Sequence, residues 1–347
     1  MHTYSWLVWT AAALICISVT RNPLYLVLIL FVLQIVYLMI AEQGDEAQLF
    51  VNPIKFTLFV VFTTAIFNVF TNHFGDTVLF TIPGKIPLLS GVVTLEAFVY
   101  GMTNGLILSG MLTTFSILNL ALPMRALVHL IPRAFYPIAI ITSIAITFAP
   151  ETRRQLNQVR EAQAVRGFRA RSVKDWMPLA MPLLIGGLER SIQVAETMTA
   201  RGFASANDVH IPNIYRLSIL GGLLMLIGGW IVSVTSSFQY LTFGLLTLGS
   251  VGVMIAFWRI GKQTPRSSYK KERWHISDFF IILFSLLALL PFVWDIPGIS
   301  RETLYYVPYP RLSVPPFEPI TGTLTLGLLA PAIIFLITKT YAKERST

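Results

Sequence analysis

Arg166 and Arg201 each stand directly before a glycine, at the end of an eleven-residue phrase that the chain carries twice, 35 positions apart. Gln158–Phe168 reads QVREAQAVRGF and Gln193–Phe203 reads QVAETMTARGF, so Gln, Val, Glu, Arg, Gly and Phe recur at matching places. These residue types do the chemistry of recognition, not of bond-making. A guanidinium forks onto a carboxylate through two parallel hydrogen bonds. A glycine ends a helix by taking the left-handed conformation without steric cost, and a cation beside it complements the negative helix end. Glu161 and Glu196, five residues upstream, are candidates to orient each tip. One Arg-Gly alone would be an ordinary end to a basic helix. Two copies predict two equivalent partners.

Other chemistries find no support in the residues. The sequence contains no G-x-x-x-x-G-K-[S/T] phosphate loop, so the chain is not expected to bind ATP itself. Cys16 is the single cysteine and rules out an internal disulfide, and no Cys/His spacing suggests zinc. The five histidines are scattered, and His73 and His129 read as loop or interface residues. No His, Asp or Ser constellation points to an intramembrane enzyme. No catalytic residue, metal ligand or cofactor-binding residue is therefore assigned to this chain.

The elements that carry the repeat must be read against an apolar chain. Hydrophobic residues make up 54% of 347 and charged residues only 12%, with a mean hydropathy of +0.67. Soluble domains carry about 25% charged residues, so lipid is the expected solvent. Apolar runs near 4–20, 24–41, 55–71, 93–120, 215–233, 237–259, 276–296 and 321–340 are candidate spans. The first run lacks a basic start and a small-residue cleavage site, so a retained span is expected instead of a signal peptide. Asn22-Pro23 and Asn52-Pro53 precede runs and predict helix starts, asparagine as N-cap and proline at the first helical position. Residues 77–94 alternate around Pro83-Gly84 and predict a β-hairpin. The proline- and aromatic-rich stretch 298–319 reads as an external loop.

The net charge of +9 is distributed in a way that speaks of topology, not of nucleic acid. Arg153, Arg154, Arg160, Arg166, Arg169, Arg171 and Lys174 crowd one segment. Arg259, Lys262, Arg266, Lys270, Lys271 and Arg273 crowd another, and Lys339, Lys343 and Arg345 the tail. Basic residues accumulate in cytoplasmic loops, so both termini and residues 121–214 are expected in the cytoplasm of a multi-pass cell-membrane protein, with 72–92 and 297–320 outside. The acidic turn at 42–49 runs mildly against this on the cytoplasmic side. The organisation expected is a membrane part at 1–120, a cytoplasmic helical part at 121–214 and a second membrane part at 215–347. The apolar stretch 136–149 is short for a span and predicts an amphipathic helix at the interface, continuing beyond Pro150; a hairpin of two short spans is the alternative. On the second repeat helix Met181, Leu184, Leu188, Ile192 and Ala195 form an apolar stripe, with Arg190, Thr197 and Arg201 on another face.

At the two Arg-Gly tips the chain resembles the transmembrane T component of energy-coupling-factor transporters, ABC-type importers of vitamins and transition-metal ions. Ala200-Arg201-Gly202 matches the Ala-Arg-Gly that ends each coupling helix of that family, and Val165-Arg166-Gly167 departs at its first residue. The resemblance runs from about residue 20 to 235; the last two runs and the proline-rich loop lie beyond it. It implies an all-α, polytopic membrane bundle with two cytoplasmic coupling helices, to which the alternation at 77–94 adds a small external β-hairpin. It further implies a non-catalytic scaffold that joins two ABC ATPase subunits, which bind the ATP, to a small substrate-binding membrane subunit. Two rivals remain open. In a conventional ABC importer permease, Glu161-Ala162-Gln163 with Gly167 would belong to the ATPase-binding loop, but Met177-Pro178-Leu179-Ala180 replaces the expected ending. A secondary transporter or channel would carry ionisable groups within its spans, where Glu96, read at the outer rim, is the main exception. A solenoid needs more than two copies, and a basic amphipathic anchor leaves the duplicated tips unexplained.

Overall fold

The computed structural model describes residues 2–41, 53–82, 91–168, 176–203, 213–235, 239–263, 274–295 and 300–344. The acidic turn at 42–49, the hairpin tip at Pro83-Gly84, and Arg169, Arg171 and Lys174 lie outside them, as do Arg266, Lys270, Lys271, Arg273 and Arg345. The described chain is mostly helical, and its strands form one antiparallel pair. It divides into two compact units, Met1–Pro123 with Lys271–Thr347, and Met124–Lys270.

The first unit contains α1 (Thr3–Val19), α2 (Pro23–Ala41), α3 (Pro53–Thr71), β1 (Val78–Ile82), β2 (Gly91–Thr94), α4 (Leu95–Ala121) and, from the second part of the unit, three more α-helices. As expected, Asn22 caps α2: its carboxamide oxygen accepts from the Leu24 N–H at 3.0 Å, and Pro23 begins the helix. Pro53 begins α3, and Asn52, its expected cap, lies outside the described residues. Large buried side chains (Trp9, Tyr25, Ile29, Leu33, Ile117, Ile281 and Phe292) fill the interior of this unit. The α3–α4 pair approaches closely because Gly101 and Gly105, one helical turn apart, present no side chains to it; a Cβ at Gly105 would meet the Val61 Cα at 2.7 Å, and one at Gly101 the Ala65 Cα at 2.8 Å. Small residues at this spacing let membrane helices pack backbone to backbone. The strands pair Val78 with Thr94 and Ile82 with Gly91, confirming the hairpin on either side of its undescribed tip.

The second unit contains α5 (Met124–Val128), α6 (Tyr136–Val165), α7 (Met177–Ala200), α8 (Asn213–Thr235) and α9 (Gln239–Gln263). The α6 helix is continuous through Pro150, as the apolar-to-basic stretch predicted; the hairpin alternative is not formed. The α8–α9 pair also closes on glycines, since a Cβ at Gly249 would meet the Gly222 carbonyl at 2.9 Å. Outward-facing Leu217, Leu224, Phe243 and Met254 on this pair are exposed, the arrangement expected of helices solvated by lipid.

Returning to the first unit, α10 (Ile276–Val293) packs on α1, and α11 (Pro319–Thr325) passes through a 3-10 turn at Leu326–Leu329 into α12 (Ala330–Glu344). That turn interrupts the α-helical ladder, and the Trp9 indole N–H donates to the Leu328 carbonyl at 2.9 Å. Seven helices of the described chain are long and apolar enough to cross a membrane; α1, on the first of the eight predicted runs, has 17 residues and is shorter than these. The chain is thus an all-α polytopic membrane bundle with one small hairpin. The proline-rich loop is held in place: the Asn22 carboxamide donates to the Thr303 and Pro316 carbonyls, and Arg311 pairs with Asp76 at 2.9 Å.

Candidate functional site

The two repeats fold into the same object twice. The α6 helix ends at Val165 and α7 at Ala200, with Arg166 and Arg201 as the capping residues, at φ −79°, ψ 8° and φ −84°, ψ 7°. Gly167 and Gly202 follow at φ +78° and +76°, the left-handed region in which L side chains are strained. The Gly167 N–H donates to the Ala164 carbonyl at 2.9 Å and the Phe168 N–H to the Gln163 carbonyl at 3.0 Å. Gly202 donates to Thr199 at 2.9 Å and Phe203 to Met198 at 3.0 Å. This crossed pair of hydrogen bonds is the Schellman ending, which satisfies carbonyls a helix end otherwise leaves open. Glycine, as the sequence predicted, is the stop in both cases.

Each tip holds its arginine out. Arg166 and Arg201 are exposed and, among the described residues, neither forms an ion pair. Val165, which departs from the alanine of the matching position, is 90% exposed. Phe168 and Phe203 are half-buried behind the turns. Glu161 and Glu196 are exposed, and neither is brought to its arginine by an ion pair. Five residues are roughly 1.4 turns of helix, which sends the two side chains to different faces. The contacts that side chains make on a helix are with residues three or four away.

The α7 stripe does not pack within its unit. Met181, Leu184, Leu188 and Ile192 are 49–67% exposed, and the face turned to α6 is the one bearing Gly186 and Arg190. Arg190 donates to a Glu151 carboxylate oxygen at 3.0 Å and lies over the Phe148 ring at 5.9 Å. This joint was not foreseen.

Buried acids in the candidate spans are both at helix starts. Glu96, in the first turn of α4, accepts the Thr77 N–H at 3.1 Å; Asp278, in the first turn of α10 and overlooked in the sequence, accepts the His2 and His275 N–H groups. Carboxylates there complement the positive helix end. Groups of three or more metal-ligating side chains are absent among the described residues.

Comparison with known proteins agrees with this architecture. The family described as "Cobalt transport protein" (CbiQ) matches residues 2–211, from α1 through both tips. A curated relative, the energy-coupling factor transporter transmembrane protein EcfT of Leuconostoc gelidum subsp. gasicomitatum, is 27% identical over 160 residues, which cover 42% of this chain. The match spans 58% of that relative's length.

Proposed function

The chain belongs to the cobalt transport protein family, and we propose that within it the chain is the coupling subunit of an ATP-driven importer, carrying motion from two ATPase subunits to a separate, small substrate-binding membrane subunit. The observation that carries this reading is the pair of matching tips, each a Schellman-ended helix with an exposed arginine that has no ion-pair partner among the described residues. An exposed cation at a fixed helix end suits an acidic groove on another protein, and two such ends suit two copies of it. ATP is bound by those partners. The cargo is a transition-metal ion or a vitamin, selected by the substrate-binding subunit. Seven apolar helices and the family place the chain in a membrane as a multi-pass protein. The reading further places α6 and α7 in the cytoplasm with both termini.

The first-turn positions of Glu96 and Asp278 weigh against a secondary transporter, which needs ionisable groups deeper in its spans. The isolated chain, reconstituted in vesicles, is expected to show no saturable uptake of cobalt, nickel or vitamins, with or without a proton gradient. Saturable transport by the chain alone would defeat the coupling reading.

Sidedness is checked separately. In a Cys16→Ala background, a cysteine introduced at Arg169 is expected to resist an impermeant thiol reagent in intact cells and to react after permeabilisation. A cysteine at Val314, which is 90% exposed, is expected to react in intact cells. Labelling of Arg169→Cys from outside would place the tips on the wrong side for any cytoplasmic ATPase.

A further inference from the structure

The joint between α6 and α7 has a symmetry that the repeat explains. Two of its contacts are related by the repeat. Arg190 pairs with Glu151 at 3.0 Å, and one turn away Gly186 comes so close to Gln155 that a Cβ there would run into the Gln155 amide. Under the 35-residue offset Glu151 corresponds to Gly186, and Gln155 to Arg190. Each contact therefore joins the first position of one copy to the second position of the other, and exchanging the copies exchanges the contacts. These two contacts lie at equivalent points of the two copies, although the side chains filling them differ.

The consequence is equal arms. The midpoint of these two contacts falls at the level of Arg153 and Leu188, each 13 residues before its tip arginine. At 1.5 Å per residue both arms are about 20 Å long. A crossing one turn off on one helix would leave one tip about 5 Å short of its mate.

We propose that Glu151 and Arg190 are positioning residues that pin this crossing and so fix the separation of the two arginine tips. The ion pair is the polar lock of the joint. Glu151 also lies 3.9 Å from Arg154, and Arg190 rests over Phe148, so both charges are held from a second side. Gly186 supplies the close approach that lets them meet. With side chains 39–40% exposed, the pair adds little to stability; its work is to select one crossing register among neighbours of similar packing. Its purpose rests on the coupling reading, since a fixed tip separation matters to a partner with two docking grooves.

The test uses the full chain alone in lipid nanodiscs. Ala164→Cys and Thr199→Cys, exposed and equivalent in the two copies, carry spin labels in the Cys16→Ala background, and pulsed dipolar spectroscopy reads the tip-to-tip distance. One narrow distribution is expected. Glu151→Gln is expected to raise the population at other distances about fivefold, the effect of losing a partly exposed ion pair. Glu151→Arg combined with Arg190→Glu is expected to restore the narrow distribution. An unchanged distribution in Glu151→Gln overturns the proposal, as does a charge exchange that fails to restore it. ATPase subunits take no part in this measurement, so its outcome is independent of whether the tips dock.

Discussion

Replacing both tip arginines by alanine is expected to abolish ATP-driven uptake while leaving the membrane protein folded. In the free chain Arg166 and Arg201 are exposed, and exposed substitutions away from packed features change stability by about 0.5 kcal/mol or less. On a partner the balance reverses. A docked guanidinium is desolvated against carboxylates, and truncating one member of such a pair costs roughly 2–5 kcal/mol, much of it from the charge left unpaired. Arg201→Ala alone is expected to weaken assembly severely. Arg166→Ala is expected to do so less, because Val165 replaces the small alanine found beside the other tip. The double variant is expected to lose the ATPases altogether. Lysine is expected to rescue poorly at either tip, since it keeps the charge and loses the fork. Uptake, ATPase co-purification and the thermal midpoint of the chain, measured across the set, separate docking from folding. Normal uptake in the double variant would reduce the repeat to two helix ends.

Gly105→Leu is expected to be the most damaging single change to the membrane bundle. A side chain at Gly105 must displace backbone, with the Val61 Cα 2.7 Å from the new Cβ, and backbone in a packed helix pair yields little. Overpacking costs about 1–3 kcal/mol and occasionally more, and this site falls at the upper end. The thermal midpoint in detergent is expected to drop by several degrees. Gly221→Leu is the control: a Cβ there meets nothing within 4 Å, and leaving glycine in a helix gains up to about 1 kcal/mol. Equal midpoints for the two variants would show that the α3–α4 contact is not tight.

Local features were legible in the sequence because local chemistry dictates them. Apolar run length set the spans, Asn22-Pro23 set the start of α2, alternation set the hairpin, and Gly167 and Gly202 set the stops of α6 and α7. Pro150 did not hide α6, since a proline removes one rung and leaves its neighbours in place. Contacts between helices were not legible. Glu151 and Arg190 lie 39 residues apart, and only a crossing register brings them together. The signal was nevertheless present, because 39 is the repeat offset plus one helical turn. The apolar stripe of α7 was read correctly as a stripe, but amphipathicity says that a face seeks cover and not what covers it. Asp278 sits in the first turn of α10 as part of a capping box, and its tertiary partner, the His2 N–H, is 276 residues away, so its burial had no local signal.

The most direct measurement is to purify the intact chain from its native membrane in mild detergent and identify by mass spectrometry what comes with it. The coupling account predicts two ATPase chains and one small membrane protein for each copy of this chain, all present with the natural sequence and the ATPases absent from the Arg166→Ala, Arg201→Ala double variant. ATPases retained by the double variant, or a chain that purifies with none, would contradict it.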